Sequence, residues 1–410
     1  MKRVLHVLSQ RPSRTGSGIT LEALVRHGRS AGWDQEVVVG VPASEKDPGV
    51  GGLASGKIHP LVFESDRLPF AVPGMSDVMP YNSTRFSDLT PGMLAAYREA
   101  WTAHLEPVLE RFRPDLIHAH HIWIVGSLIK DLAPETPVVS HCHATGFRQM
   151  DLCSGPAAEV QDGCSRNDRF AVLHQGHADE LQRRLQVSPH RIRVVGAGYR
   201  ADLFHGRGRR TGRSGRLLYV GKYSESKGLP WLLDAFGRLS RKDRSLTLHV
   251  AGSGAGPEAD RLRERMERMA PEVVLHGPLS QEALAGVMRE SDVCVLPSFY
   301  EGVPLVLVEA LACGCRLVAT GLPGVDSQIA PYVGDALERV EPPRLAGVDR
   351  PVEQDLPAFV DRLASAMGSA LFQPALAGPA DAAGPALNRF TWEAVFGRVE
   401  RIWNELLPDD

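Results

Sequence analysis

The chain has 410 residues, 43% of them hydrophobic and 23% charged, and a formal net charge of −3. That length exceeds one hydrophobic core and calls for two or three domains, and the charge balance gives no reason to expect nucleic acid as a partner. No apolar run reaches the roughly 18 residues of a membrane span. The apolar stretch in MKRVLHVLSQRPSR is too short for a signal peptide, and six cysteines at irregular spacings make no disulfide framework, so the cytoplasm is the expected compartment.

Strand-like and helix-like segments alternate nearly throughout. Residues 4–9 form a short apolar run and predict a buried first strand, followed by a glycine-bearing loop at 11–18 and a helix over 19–30. Further strands are expected at 37–41 and 59–63. Residues 65–92 are rich in Pro, Ser and Asp and show no period, which predicts a long loop that is either functional or disordered. A helix at 93–112 precedes strands at 116–118 and 138–141. Residues 144–166 are again aperiodic, and strand 170–173, helix 178–185 and strand 192–195 complete the first half.

Residues 205–215, HGRGRRTGRSG, contain no apolar side chain and read as a linker. The alternation then restarts with strands at 217–220, 246–251, 273–276, 293–296 and 316–320, separated by helices at 230–239, 258–269, 281–290 and 304–313. Pro304 suits a first helical turn and Gly314 a C-terminal cap. A helix at 356–367, a loose Ala/Gly/Pro segment at 373–387 and a last helix at 392–406 follow. Trp392, Val395, Phe396, Val399, Ile402, Trp403 and Leu406 share one face of that last helix, which must pack on something. Strands alternating with helices imply parallel βαβ units, hence an α/β chain with two doubly wound domains. The expected boundaries are 1–204, a linker at 205–215, 216–387, and a segment 388–410 returning to the first domain.

Ligands of open α/β sheets bind beyond the strands' carboxyl ends. In the second half those ends carry Gly221 and Lys222 with Lys227 shortly after, then Gly252, Ser253 and Gly254, then Glu301 and Gly302. Two cations, close-approach glycines and helix N-termini suit a bound diphosphate. Glu301 in the turn and Glu309 on an apolar helix stand out, because a lone carboxylate on an apolar helix needs a partner or a ligand. Glu301 is placed for sugar hydroxyls and Glu309 for a ribose diol.

These motifs resemble those of the retaining GT-B glycosyltransferases of glycosyltransferase family 4. EGVPLVLVEALACG holds that family's glutamate–seven residues–glutamate pattern at Glu301 and Glu309, and LYVGKYSESKGLPWLLDAF looks like its phosphate-binding strand and helix. LHVAGSGAGPE and VVLHGPLSQEALAGVMRESDVCVLPS follow in family order. The likeness covers residues 216–330 most densely and is collinear over much of the first half. IRVVGAGYRADLF replaces the family's polar hinge pair with Ala197 and Arg200, and Lys222 stands where many members have Arg.

The resemblance implies two Rossmann-like domains facing across a cleft and a retaining, metal-independent hexosyl transfer from a nucleotide-sugar, with UDP favoured. It implies His120, Glu301 and Lys227 as catalytic residues. Gly16, Ser17, Gly18, Lys222, Gly252, Gly254, Gly277, Leu279, Gly302, Val303, Pro304, Leu305 and Glu309 would join Lys227 and Glu301 around the donor. His143 occupies a similar strand-end position and would face the acceptor. The loop residues Met75 and Tyr81 are, by their own character, apolar enough to line an acceptor pocket or simply to pin the loop down. No cofactor or metal is implied. The partners would be the donor and an acceptor glycan, lipid-linked sugar or aglycone, with a peripheral contact to the inner face of the membrane open. On the same architecture a sugar-nucleotide epimerase, a phosphorylase or a non-catalytic nucleotide-sugar-binding protein are the alternatives. The residues alone also leave Glu301 and Glu309 open as ion-pair partners, and the His/Cys-rich stretch open as a metal site.

Overall fold

A computed structural model describes residues 2–13, 15–76, 79–210, 212–373 and 384–408. The chain divides into two compact units, Met1–Ala197 with Trp392–Asp410, and Gly198–Thr391. Of the loose segment expected at 373–387, residues 374–383 lie outside the described residues. Among the described residues no helix is long and apolar enough to cross a membrane.

The first unit is built on strands β1 (Arg3–Leu8), β2 (Asp34–Val41), β3 (Ile58–Val62), β4 (Leu116–His120), β5 (Val138–Cys142), β6 (Arg169–Val172) and β7 (Ile192–Val194). They pair in parallel in the order β3-β2-β1-β4-β5-β6-β7. The near-continuous apolar runs follow from burial on both faces. Alternate residues feed two cores: Leu5, Val7, Ile117, Val138 and Phe170 on one face, and Val4, Leu116, Val139 and Ala171 on the other. The second face is covered by helix Gly16–Ser30 and by helix Trp392–Leu406, whose Phe396, Val399, Ile402 and Trp403 sit in that core. Trp33 Nε1 also donates to Glu400 at 2.8 Å, and Arg398 Nε to the Val195 carbonyl at 2.7 Å.

The second unit carries β8 (Arg216–Val220), β9 (Thr247–Ala251), β10 (Val273–Gly277), β11 (Val293–Leu296), β12 (Arg316–Thr320) and β13 (Leu337–Val340). Their parallel order is β10-β9-β8-β11-β12-β13. Both sheets therefore reverse strand order beside the first strand, between β1 and β4 and between β8 and β11. Helix Leu229–Ser240 and helix Leu356–Phe372 close one face over Leu217, Tyr219, Val250 and Val295.

Several expectations change. Gly16, Ser17 and Gly18 form the first turn of a helix rather than a loop, because Thr15 acts as N-cap and its side chain accepts from the Gly18 N–H. Residues 144–166 are helices Ala144–Leu152 and Ser154–Ser165, whose apolar anchors Phe147, Met150, Val160 and Cys164 are spaced by Gly, Ser and Asp that hide the period. Residues 65–92 contain a short parallel pairing of Pro73–Gly74 with Thr84–Arg85 and bury Leu68, Val72 and Phe86. Within 205–215, Arg209 Nη1 donates to the Cys313 carbonyl at 3.1 Å, and Arg213 lies over the Phe372 ring. That stretch belongs to the second unit, fastened through arginine side chains that composition alone marks as solvated.

Candidate functional site

The second unit's site grows from the two strands that flank its reversal point. β8 and β11 are neighbours, with Leu217 opposite Val293, so the loops leaving both strands emerge side by side. From β8 the chain runs through Lys222 and a single 3₁₀ turn, Glu225–Lys227, into helix Leu229–Ser240. From β11 it runs through Pro297 and Ser298 to Glu301 and into helix Leu305–Ala312, where Pro304 occupies the N-cap position, one place before the first helical turn.

The two loops are tied by backbone. The Phe299 N–H donates to the Ser226 carbonyl at 2.9 Å. Gly228, at φ +70°, lets the first loop pass the second; a Cβ there would lie 2.0 Å from the Pro297 oxygen. On that frame Lys227 Nζ donates to Glu301 Oε1 at 2.6 Å, and the buried Ser298 hydroxyl donates to the same oxygen at 3.0 Å. Lys227 also reaches the Tyr300 carbonyl at 3.4 Å. The pair keeps 23% and 18% of its side-chain surface exposed, so both groups remain within reach of a ligand.

The loop after β9 joins this frame. Gly252 N–H donates to the Gly277 carbonyl at 2.8 Å, and Tyr223 N–H to the Ser253 carbonyl at 3.1 Å. Gly252 has φ +135°, and a Cβ on it would lie 2.0 Å from the Gly221 oxygen. Gly252→Ala is expected to cost on the order of 3 kcal/mol of stability, read from chemical denaturation midpoints, since strain and clash coincide. Gly254 packs against Ala259 and Tyr223 at the head of helix Pro257–Glu267. Lys222, Leu279 and Gly302 are half-buried in the loops leaving the strands, as is Gly277 at the end of β10, whereas Val303 is buried.

Glu309 projects from helix Leu305–Ala312 and is half-buried. Among the described residues no donor side chain is paired with its carboxylate, and burial pushes its pKa up to about 7. Structural ion pairing, open for both glutamates from the residues alone, therefore fits Glu301 and not Glu309.

In the first unit the histidines line one face and the carboxyl end of the sheet. His6, His118, His120 and His141 are 0–2% exposed and occupy the face that helices Gly16–Ser30 and Trp392–Leu406 cover. His6 Nδ1 lies 3.3 Å from His120 Nε2, and His118 Nε2 lies 3.3 Å from His141 Nδ1. Burial holds His6 down to about 4 and His141 to about 3. Burial and neighbouring imidazoles drive His118, His120 and His143 well below their ordinary value, so the set is neutral at physiological pH. His143 stacks on His141 with centroids 4.8 Å apart.

Ligand atoms of His118, His120 and His141 lie within 4.8 Å of one another. However, Trp403 Nε1–H donates to His118 Nδ1 at 3.0 Å, which puts the His118 proton on Nε2. That ring then has no lone pair left for an ion, so the donor set does not fit a metal.

Other expected residues fall differently. Met75 is 1% exposed and packs in the core, with its carbonyl accepting from Gln149, so it pins its loop and lines no open surface. Tyr81 is half-buried with Arg11 over its ring. Ser17 is buried, its hydroxyl 3.3 Å from Gln10 Oε1. Sequence reasoning missed Gln35 and His6 behind the histidines and read Trp403 as packing alone. Only His6 left a signal, a lone polar residue on an apolar strand face, as in Val4-His6-Leu8.

Residues 15–198 match the family described as Glycosyl transferase 4-like domain, and residues 214–340 match Glycosyl transferases group 1. The chain is 29% identical over 275 residues to a D-inositol 3-phosphate glycosyltransferase of Corynebacterium glutamicum (strain R), covering 60% of this chain and 63% of that protein. It is 31% identical over 228 residues to a glycogen synthase of Mycobacterium tuberculosis (strain ATCC 25618 / H37Rv), covering 53% and 55%. The matches thus span less than two thirds of either relative. Among solved structures, the sucrose-phosphate synthase of Thermosynechococcus elongatus superposes with a TM-score of 0.68 at 17% identity, over 99% of both chains. HepE of Anabaena, solved in complex with UDP and glucose, gives 0.63 at 15% identity, over 99% of this chain and 100% of that one.

Proposed function

Because this chain belongs to the group 1 glycosyl transferases and has their GT-B architecture, we propose that it moves a hexose from a nucleotide-sugar, UDP favoured, to an acceptor hydroxyl with retention of anomeric configuration and without a metal ion. The observation that carries the reading is the Lys227–Glu301 pair, held at the reversal point of a doubly wound sheet by glycines that admit no side chain. Lys222, Lys227 and the loop N–H groups stabilise charge building on the leaving diphosphate. Glu301 accepts from sugar hydroxyls and Glu309 from the ribose diol. His120 orients the sugar rather than acting as a strong base, which accords with its depressed pKa. Front-side attack on an oxocarbenium-like sugar lets the leaving diphosphate oxygen take the acceptor's proton. The UDP bound to HepE supports the choice of base.

Incubation with a panel of nucleotide-sugars is expected to show slow hydrolysis of one donor, undiminished by EDTA, with the sugar released in the donor's anomeric configuration. Inversion at C2 without release would instead indicate an epimerase. Binding without turnover would indicate a non-catalytic nucleotide-sugar-binding protein.

A further inference from the structure

The buried face of the first sheet contains a hydrogen-bond string whose direction can be read from its anchored end. Gln35 is 1% exposed, and its Nε2 donates to the Val25 carbonyl at 3.0 Å. That fixes the amide, so its Oε1 is the atom 3.0 Å from His6 Nε2. An amide oxygen only accepts, and the His6 proton must therefore sit on Nε2. A neutral imidazole has one N–H, which makes His6 Nδ1 an acceptor. The facing atom, His120 Nε2, must then donate across the 3.3 Å between them. With its single proton committed to His6, His120 is left with a bare lone pair on Nδ1. That atom is buried and has no hydrogen-bond partner among the described residues. A buried unmet acceptor is costly, which points to a ligand that meets it.

We propose that Gln35 and His6 are positioning residues that lock His120 in the Nε2–H tautomer, so that it meets the substrate only as a hydrogen-bond acceptor. The inference rests on the assignment of His120 to the substrate made above. It adds a constraint of chemical class: the group facing His120 carries an O–H, and a deoxy or O-methyl analogue at that position loses the contact. The string beside it runs the other way. Trp403 donates to His118 and His118 to His141, leaving His141 with an N–H that meets no acceptor among the described residues. The two strings give adjacent strands, in register at His120 and His141, opposite hydrogen-bonding characters.

Protein labelled with ¹⁵N-histidine tests this by long-range ¹H–¹⁵N correlation, with His120 assigned by difference against His120→Asn. The wild type is expected to show a protonated Nε2 and a bare Nδ1 at His120. His6→Phe is expected to mix the tautomers and lower kcat/KM by about tenfold, roughly the worth of one hydrogen bond. His6→Gln, which accepts at Oε1 and donates at Nε2, is expected to restore both. A protonated Nδ1 in the wild type, or an unchanged His120 signal in His6→Phe, overturns the proposal. Should His6→Phe fail to fold, the wild-type spectrum and Gln35→Leu decide the same point. Full donor turnover in His120→Asn would instead overturn the assignment of His120 to the substrate, whichever tautomer the spectrum shows.

Discussion

Replacing Lys227 with alanine lowers donor turnover by about a hundred- to a thousandfold while the protein stays folded; this is the expected result, and single-turnover kinetics beside a circular dichroism melt check it. Lys227 sits at the end of a single 3₁₀ turn, immediately before Gly228, and its backbone path is set by that glycine and by Phe299 rather than by its own side chain. Truncation therefore spares the fold. It leaves Glu301 held by the Ser298 hydroxyl, with its remaining surface in water. What disappears is the Lys227 ammonium fixed beside Glu301, in a loop where charge on a leaving diphosphate would need it. A loss of turnover matched by a loss of melting temperature would mean that the ion pair is structural. Wild-type turnover in Lys227→Ala would remove this residue from the site.

Glu309→Gln is expected to move stability and donor binding in opposite directions. Burial raises the Glu309 pKa from 4.5 in the unfolded chain to about 7 in the native protein. Between those values the native state holds a proton that the unfolded state releases, so native stability falls as pH rises through the window and levels off above it. Glutamine has no proton to lose. The variant should match wild type near pH 4 and exceed it at pH 8, by on the order of 2 kcal/mol in chemical denaturation. At the same pH the donor KM should rise about ten- to a hundredfold, because a carboxylate accepting from a ribose diol makes stronger hydrogen bonds than a neutral amide. Wild-type donor affinity should itself weaken as pH drops below 7. A variant that is no more stable at pH 8, or binds donor as tightly as wild type, would contradict the role assigned to Glu309.

The doubly wound architecture was legible because continuous apolar runs alternate with amphipathic segments, and the two glutamates stood out because acids are expensive in such surroundings. Other features were hidden for physical reasons. Strand β13, LERV, has two charged residues among four and is half exposed, so it carries no apolar run. β2 begins at Asp34, earlier than its hydrophobic block, which concealed Gln35 inside a strand. The partners of the histidines come from β1, β2 and a helix near residue 403, and such pairings become visible only when the sheet order is known. Met75 looked like a ligand because an apolar side chain in a long loop suits a pocket as well as a core; its burial distinguishes the two.

Helix Trp392–Leu406 covers the first unit's sheet from the far end of the chain. In connectivity, the second unit is therefore an insertion inside the first. During synthesis the strands β1 to β7 and helix Gly16–Ser30 precede the second unit, yet the part of this face that helix Trp392–Leu406 covers stays open until the whole second unit has been made. The nascent chain thus passes through a stage with a partly open apolar sheet face, the surface on which chaperones act and aggregation starts. Folding of the first unit is in this sense timed by the translation of helix Trp392–Leu406.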